Sequence, residues 1–276
     1  MIERLTILGV GLLGGSAGLA VKSKIKHVQV TGCGHSDGAA ALAAGAVDRW
    51  ETDLQAAVEG ADLVLIATPV QVIGPSLTRI ADWVQPGMVV TDVGSAKAAI
   101  VAAGEAAIRS PAAFVGSHPM AGGSKAGVAA ARADLFEGAA CVVTPTAASD
   151  PAAVGRVREF WAALGGRVIE QDPVEHDRLV ALASHLPHAL AAALVAVQEP
   201  GSIDIRGKGF ADTSRVAGGD PNLWREIFAM NRANVLAAVE RLEGELATFK
   251  QHLAAGDDAA VFAWLDEQAK RRNALG

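Results

Sequence analysis

The first chemically meaningful residues lie near the start of the chain. Gly9-Val10-Gly11-Leu12-Leu13-Gly14 follows a short apolar run that reads as a strand and opens a stretch that reads as a helix. In that setting the spacing suits a dinucleotide. The first glycine makes a tight turn, the second lets the backbone approach a pyrophosphate, and the third lets the helix pack on the strand. The anion then rests on free N–H groups at the positive end of the helix dipole. About 20 residues further on, an NAD site normally carries an Asp or Glu for the ribose 2′-hydroxyl. Here Gly34 stands in that place, followed by His35 and Ser36. No carboxylate repels a 2′-phosphate, and His35 and Ser36 could donate hydrogen bonds to one. NADP is therefore expected ahead of NAD, although no Arg is present and Asp37 is adjacent. Thr68-Pro69 ends another strand-like run, where ligands lie in parallel sheets.

Three further clusters carry polar groups. They are Asp92-Val93-Gly94-Ser95-Ala96-Lys97, then Gly116-Ser117-His118-Pro119-Met120-Ala121-Gly122, then Ser184-His185-Leu186-Pro187-His188 with the later Asp212-Thr213-Ser214-Arg215 and Asp220-Pro221-Asn222-Leu223-Trp224-Arg225. His185 and His188 lie three apart on one predicted helix and hence on one face. Gly94 joins the expected cofactor-binding residues.

These residues need a frame. Apolar, β-branched runs at 5–8, 28–31, 63–67, 89–92, 114–117 and 141–144 alternate with helical windows at 16–24, 38–44, 72–83 and 97–107. Near-continuous apolar strands alternating with helices predict a parallel sheet covered on both faces. Asp150-Pro151 places a cap before a proline at the first helical position, and a last strand returns over 167–171. After residue 172 the strand-like runs stop, and helical segments follow over about 173–198, 221–254 and 258–273. The expectation is an α/β Rossmann-type doubly wound domain over 1–172 and an all-α domain over 173–276.

Composition excludes several classes of function. The 276 residues are 51% hydrophobic and 20% charged, ample for a core and unlike a disordered chain. A net charge of -6 without a basic run argues against gripping nucleic acid or an anionic membrane. Cys33 and Cys141 form no CxxC or Cys/His cluster, so no disulfide framework and no metal site are expected, and a cytoplasmic location is. Leu5 to Val21 imitates a signal segment, but its glycines suit a turn. Leu179 to Val197 has membrane-spanning length, yet Ser184, His185, Pro187 and His188 interrupt it, so a buried core helix is expected.

With its motifs DVGSAK, GSHPMAG, SHLPH, DTSR and DPNLWR in order and at family spacing, the chain resembles the prephenate and arogenate dehydrogenases of tyrosine biosynthesis nearly end to end. The resemblance implies hydride transfer from the hydroxyl-bearing carbon of a cyclohexadienol to NAD(P)+ while the ring carboxylate leaves as CO₂. It implies that His118 is the base and that Ser95 orients its imidazole. It places Arg215 on the substrate carboxylate, with His188, Trp224, Ser117 and Gly122 around the substrate. It also implies a homodimer through the helical domain. Two positions depart from the family pattern: Ser124 stands where many members carry Glu, and Ala211 where they often carry Lys or Arg. The first loses an attraction for the ammonium of arogenate, the second for the dianion prephenate. The effects oppose, and the sequence leaves the substrate open. Rival readings are a β-hydroxyacid or pyrroline-carboxylate type reductase, or a non-catalytic NADP sensor, since a fold does not fix a chemistry.

Overall fold

The computed structural model describes residues 2–35, 38–123 and 125–275. Ser36, Asp37 and Ser124 lie outside them.

β1 (Arg4–Leu8), β2 (Gln29–Cys33), β3 (Arg49–Glu51), β4 (Leu63–Ile66), β5 (Val89–Asp92) and β6 (Ala113–Phe114) form a parallel sheet in the order β3-β2-β1-β4-β5-β6. Between them run α1 (Leu12–Lys24), α2 (Ala39–Ala43), α3 (Leu54–Val58), α4 (Val70–Ile80) and α5 (Ala98–Ala107). The alternation of side chains along each strand sends Leu63 and Leu65 into one core and Val64 and Ile66 into another. Both faces are thus covered, as the continuous apolar strands require. The strand order reverses between β1 and β4. Doubly wound sheets bind ligands at such a point, in the crevice outside the strands' carboxyl ends.

Two strand expectations change. The run at 114–117 is divided: Phe114 stays with β5, while β7 (Gly116–Pro119) pairs antiparallel with β8 (Ala140–Thr144) in a second sheet. A Cβ on Gly116 would lie 2.5 Å from Thr144 Oγ1 and 2.7 Å from Val101, so this crossing point admits only glycine. β9 (Arg167–Glu170) completes that sheet parallel to β8, after α6 (Pro151–Ala163), whose first turn Asp150 caps. The short β3 was not anticipated because Arg49 and Glu51 flank its single aromatic residue, Trp50, and leave no apolar run.

Beyond Asp172 the described elements are helical. They are α7 (Pro173–Val180), α8 (Leu186–Ala196), α9 (Pro200–Asp204), α10 (Lys208–Ser214), α11 (Pro221–Met230), α12 (Arg232–Ala255) and α13 (Asp258–Ala274). The predicted helix over 221–254 breaks at Asn231, whose side chain is drawn into the site described below. A π-helical turn, Ala181–His185, joins α7 to α8. Pro187 has no N–H to bond back along an α-helix, and the wider turn absorbs the irregularity. It also re-aims side chains. His176 and His188 would be about 120° apart on an unbroken α-helix, and one residue taken up by the turn brings them to about 20°.

The Pro173–Ala196 helix is long and apolar enough to cross a membrane by length and composition. Its His176, Asp177, His185 and His188 are nevertheless buried against the rest of the chain. The expectation of a wholly buried helix is corrected, because only one face is covered. Leu179, Leu190 and Val195 are exposed, and so are Leu236, Leu246, Leu253 and Phe262 on the following helices.

Candidate active site

The turn after β1 has the geometry its glycines predict. Gly9 adopts φ +91°, and a Cβ there would press on the Ala67 carbonyl at 2.8 Å. A Cβ on Gly14 would lie 2.2 Å from the Gly9 oxygen, so α1 packs on the turn only without one. Gly11 differs: its missing Cβ would meet nothing within 4 Å. That leaves open space at the start of a helix whose first turn has no acidic residue. Leu12 and Leu13 open that helix and pack on the core. Opposite it, Thr68 has a buried Oγ1 with no partner among the described residues, and Pro69 precedes α4. An open cradle at a helix N-terminus and an orphaned hydroxyl opposite it fit a dinucleotide.

Gly34 and His35 follow β2, with Gly34 partly buried and His35 exposed. Trp50 lies where a Gly34 Cβ would be, 3.2 Å away, so Gly34 also has a packing reason to be glycine. Gly94 has a similar reason. Its Cβ would collide with Ile73 and Ile100, and its N–H donates to Asp92 Oδ2 at 2.8 Å.

β7 presents alternate residues to opposite sides. Ser117 is fully buried. Its Oγ donates to the Asp92 carbonyl at 2.5 Å, receives Trp161 Nε1 at 2.9 Å, and lies 2.9 Å from Thr91 Oγ1. A substrate contact by this hydroxyl is therefore corrected: it is spent inside the core. Beneath it, the fully buried Lys97 ammonium pairs with Asp92 and donates to the Ser117 carbonyl at 2.9 Å. Burial pulls Lys97 below its ordinary pKa, against the opposing pull of Asp92 and Asp177.

His118 points the other way and is 7% exposed. Its Nδ1 lies 2.9 Å from Nε2 of His176, and His176 Nδ1 lies 2.8 Å from Asp177 Oδ1. Asp177 also accepts the backbone N–H groups of Lys97 at 2.6 Å and Ala98 at 3.0 Å. Its burial favours the neutral acid, but the bonds from His176, Lys97 and Ala98 outweigh that and hold its pKa below the usual value. Burial, with the neighbouring His176, Lys97 and His185, pushes His118 well below an ordinary histidine. The imidazole is neutral at pH 7 and can accept a proton. The nitrogen partner of His118 is thus His176, in place of the expected Ser95, which is half-buried on the turn before α5.

A second cluster adjoins this one. His188 stacks on Trp224 with centroids 3.6 Å apart and planes 12° off parallel, and its buried Nδ1 has no partner among the described residues. His185 meets Trp224 edge-on, and its Nδ1 lies 3.2 Å from the Asn231 amide, which also donates to the Asp177 carbonyl at 2.7 Å. Burial lowers the His185 pKa to about 4. Arg215 is exposed and begins the turn Arg215–Gly218, which packs against α8. Gly122 is exposed with open space around it.

The arrangement combines a dinucleotide crevice with a buried neutral imidazole, which is the equipment of a dehydrogenase. Two family models account for most of the sequence: "Prephenate dehydrogenase, nucleotide-binding domain" over residues 17–170 and "Prephenate dehydrogenase, dimerization domain" over 172–267. The chain belongs to the prephenate dehydrogenase family. Members of this family are NAD(P)-dependent oxidoreductases. The chain is 31% identical to a prephenate dehydrogenase of Bacillus subtilis over 100% of its own length and 76% of the relative. It is 30% identical to a cyclohexadienyl dehydrogenase of Zymomonas mobilis, covering 100% of this chain and 97% of that one. Among solved structures, prephenate dehydrogenase from A. aeolicus in complex with hydroxyphenyl propionate and NAD+ superimposes with a TM-score of 0.91. That match is at 28% identity and covers 100% of this chain and 99% of the other.

For a prephenate dehydrogenase family member, the sequence reading overlooked three residues that the structure gathers around His118: His176, Asp177 and Asn231. A signal was present for two of them. His176 and Asp177 are polar residues in the first turns of α7, just after an Asp-Pro start.

Proposed function

We propose that His118 is the base in the oxidative decarboxylation of prephenate, arogenate or both, the tyrosine-forming chemistry of this family. The observation carrying this reading is a buried, neutral imidazole at the end of β7, held through Nδ1 by His176. That hold leaves Nε2 as the nitrogen able to take the substrate hydroxyl proton. A positioned base of this kind is worth about 10²–10⁴ in rate.

Gly9, Gly11, Leu12, Leu13 and Gly14 would hold the pyrophosphate, and Thr68, Pro69 and Gly94 the adjoining part of the dinucleotide. Bound there, the nicotinamide supplies the hydride acceptor. As the hydroxyl proton goes to His118 and the hydride leaves the same carbon, the bond to the ring carboxylate breaks, CO₂ departs, and its electron pair completes an aromatic ring. Arg215 holds a substrate carboxylate, because its planar fork matches one with two parallel hydrogen bonds. Ser95 touches the substrate hydroxyl, while His188 and Trp224 wall the pocket and Gly122 borders it. A 2′-phosphate would find His35 and no carboxylate at Gly34, which supports NADP over NAD.

The domain division falls at residue 172. The apolar residues exposed on α8, α12 and α13 support a homodimer through the helical domain. Free Cys33 and Cys141, both buried, accord with a cytoplasmic enzyme. The reductase and sensor alternatives lose ground to the end-to-end family match. The test follows reduced-cofactor absorbance with prephenate and arogenate, each with NAD+ and NADP+. Turnover of at least one pair is expected, fastest with NADP+. No turnover of either substrate with either cofactor would overturn the reading.

A further inference from the structure

We infer that His176 and Asp177 are positioning residues: a buried pair that fixes which nitrogen of His118 carries the lone pair. This rests on the reading of His118 as the base.

The argument runs inward from the carboxylate. Asp177 already accepts two backbone N–H groups at the start of α5, so it is ionised and can only accept. The ring nitrogen facing it, His176 Nδ1 at 2.8 Å, must therefore carry a proton. In a neutral imidazole the other nitrogen, Nε2, is then an acceptor. His118 Nδ1, 2.9 Å from it, must donate. The proton on Nδ1 leaves the lone pair of His118 on Nε2, the nitrogen with no protein partner among the described residues. One carboxylate thus sets two tautomers in series.

Each part of the chain is held from several sides. Asp177 and His176 are 4% and 3% exposed, so water does not compete for these bonds. The rings of His118 and His176 meet edge-on, 70° from parallel, which aims nitrogen at nitrogen. The charged and titratable groups facing the pair are Lys97 from the β5–α5 turn, and His185 from the π-helical turn with Asn231 bonded to it. Asn231 also takes the Asp177 carbonyl, so the helix bearing the pair is pinned at its backbone as well.

Replacing His176 by Leu removes the acceptor for His118 Nδ1. A buried N–H without a partner is costly, so the neutral ring moves its proton to Nε2. That tautomer faces the substrate with a donor and cannot act as a base. In His176→Gln the amide oxygen can still accept from Nδ1. The experiment measures ¹⁵N shifts of labelled histidines in the full-length protein, together with kcat and KM, for wild type, His176→Leu, His176→Gln and Asp177→Asn. The wild-type His118 is expected to show a protonated Nδ1 and a bare Nε2. His176→Leu should invert that pattern and lower kcat by about 10²–10⁴-fold with KM nearly unchanged. His176→Gln should restore the pattern and most of kcat. Should Asp177→Asn fail to fold, the two His176 variants still decide. A His176→Leu enzyme with an unaltered tautomer and kcat overturns the inference, provided His118→Ala is inactive. If His118→Ala is itself active, it is the base assignment that fails.

Discussion

Asp177 accepts the backbone N–H of Lys97 at 2.6 Å, across 80 positions of sequence. A side chain from the helical part thereby caps the first turn of α5 in the α/β part. The same carboxylate orients His176, so the contact that docks the two parts also arranges the site.

Removing that carboxylate should therefore destabilise the fold as well as the chemistry. Asp177→Ala loses a helix cap and a charge-assisted bond to a buried histidine, a combined cost of about 2–4 kcal/mol. Chemical denaturation measures it. A loss of a few tenths of a kcal/mol would show that the docking rests elsewhere.

The second and third glycines of the cofactor turn should fail in different ways. Gly14→Ala drives a Cβ to 2.2 Å from the Gly9 carbonyl, so both thermal stability and cofactor affinity should fall. Gly11→Ala meets no protein atom within 4 Å, so the fold should keep its melting temperature while affinity for the dinucleotide drops about tenfold or more. Calorimetric titration beside thermal melts separates the two outcomes. Equal behaviour of the variants would place the pyrophosphate elsewhere.

Burial lowers the pKa of His118, His185 and His188 and favours their neutral form. The unfolded chain binds these protons near pH 6.5, and the folded chain does not. Their environment is fully tolerated above that pH, and stability is lost as pH falls from about 6.5 towards about 4, the value for His185. Melting temperature against pH should show this slope, and it should be shallower in His185→Gln. A flat profile across that window would contradict the burial of neutral rings.

The exposed face of α8 predicts a subunit contact. Ala192 is exposed on it, and Ala192→Glu should convert a dimer to monomer by light scattering. A dimer that persists unchanged places the contact on another surface.

Much of the frame was legible because burial on both faces writes itself as continuous apolar strands, and because a cap-plus-proline pair marks the helix start at Asp150. The cofactor turn was legible for a steric reason: Gly9 and Gly14 sit where a Cβ cannot fit. What escaped depends on contacts far apart in sequence. Ser117 and His118 are neighbours in the motif, yet strand alternation sends one towards Asp92 and Trp161 and the other towards His176. No local pattern tells which is which. His176 and Asp177 gain meaning only when α7 meets β7 and α5. The π-helical turn that re-aims His188 relative to His176 is likewise a response to Pro187 in its packed setting.

The central claim is that an uncharged His118 removes the substrate proton. The most direct test is the initial rate of reduced-cofactor formation by His118→Asn against wild type, at saturating substrate and with dinucleotide affinity measured in parallel. The account predicts a fall in kcat of about 10²–10⁴-fold with cofactor affinity unchanged. A kcat within about twofold of wild type would contradict it.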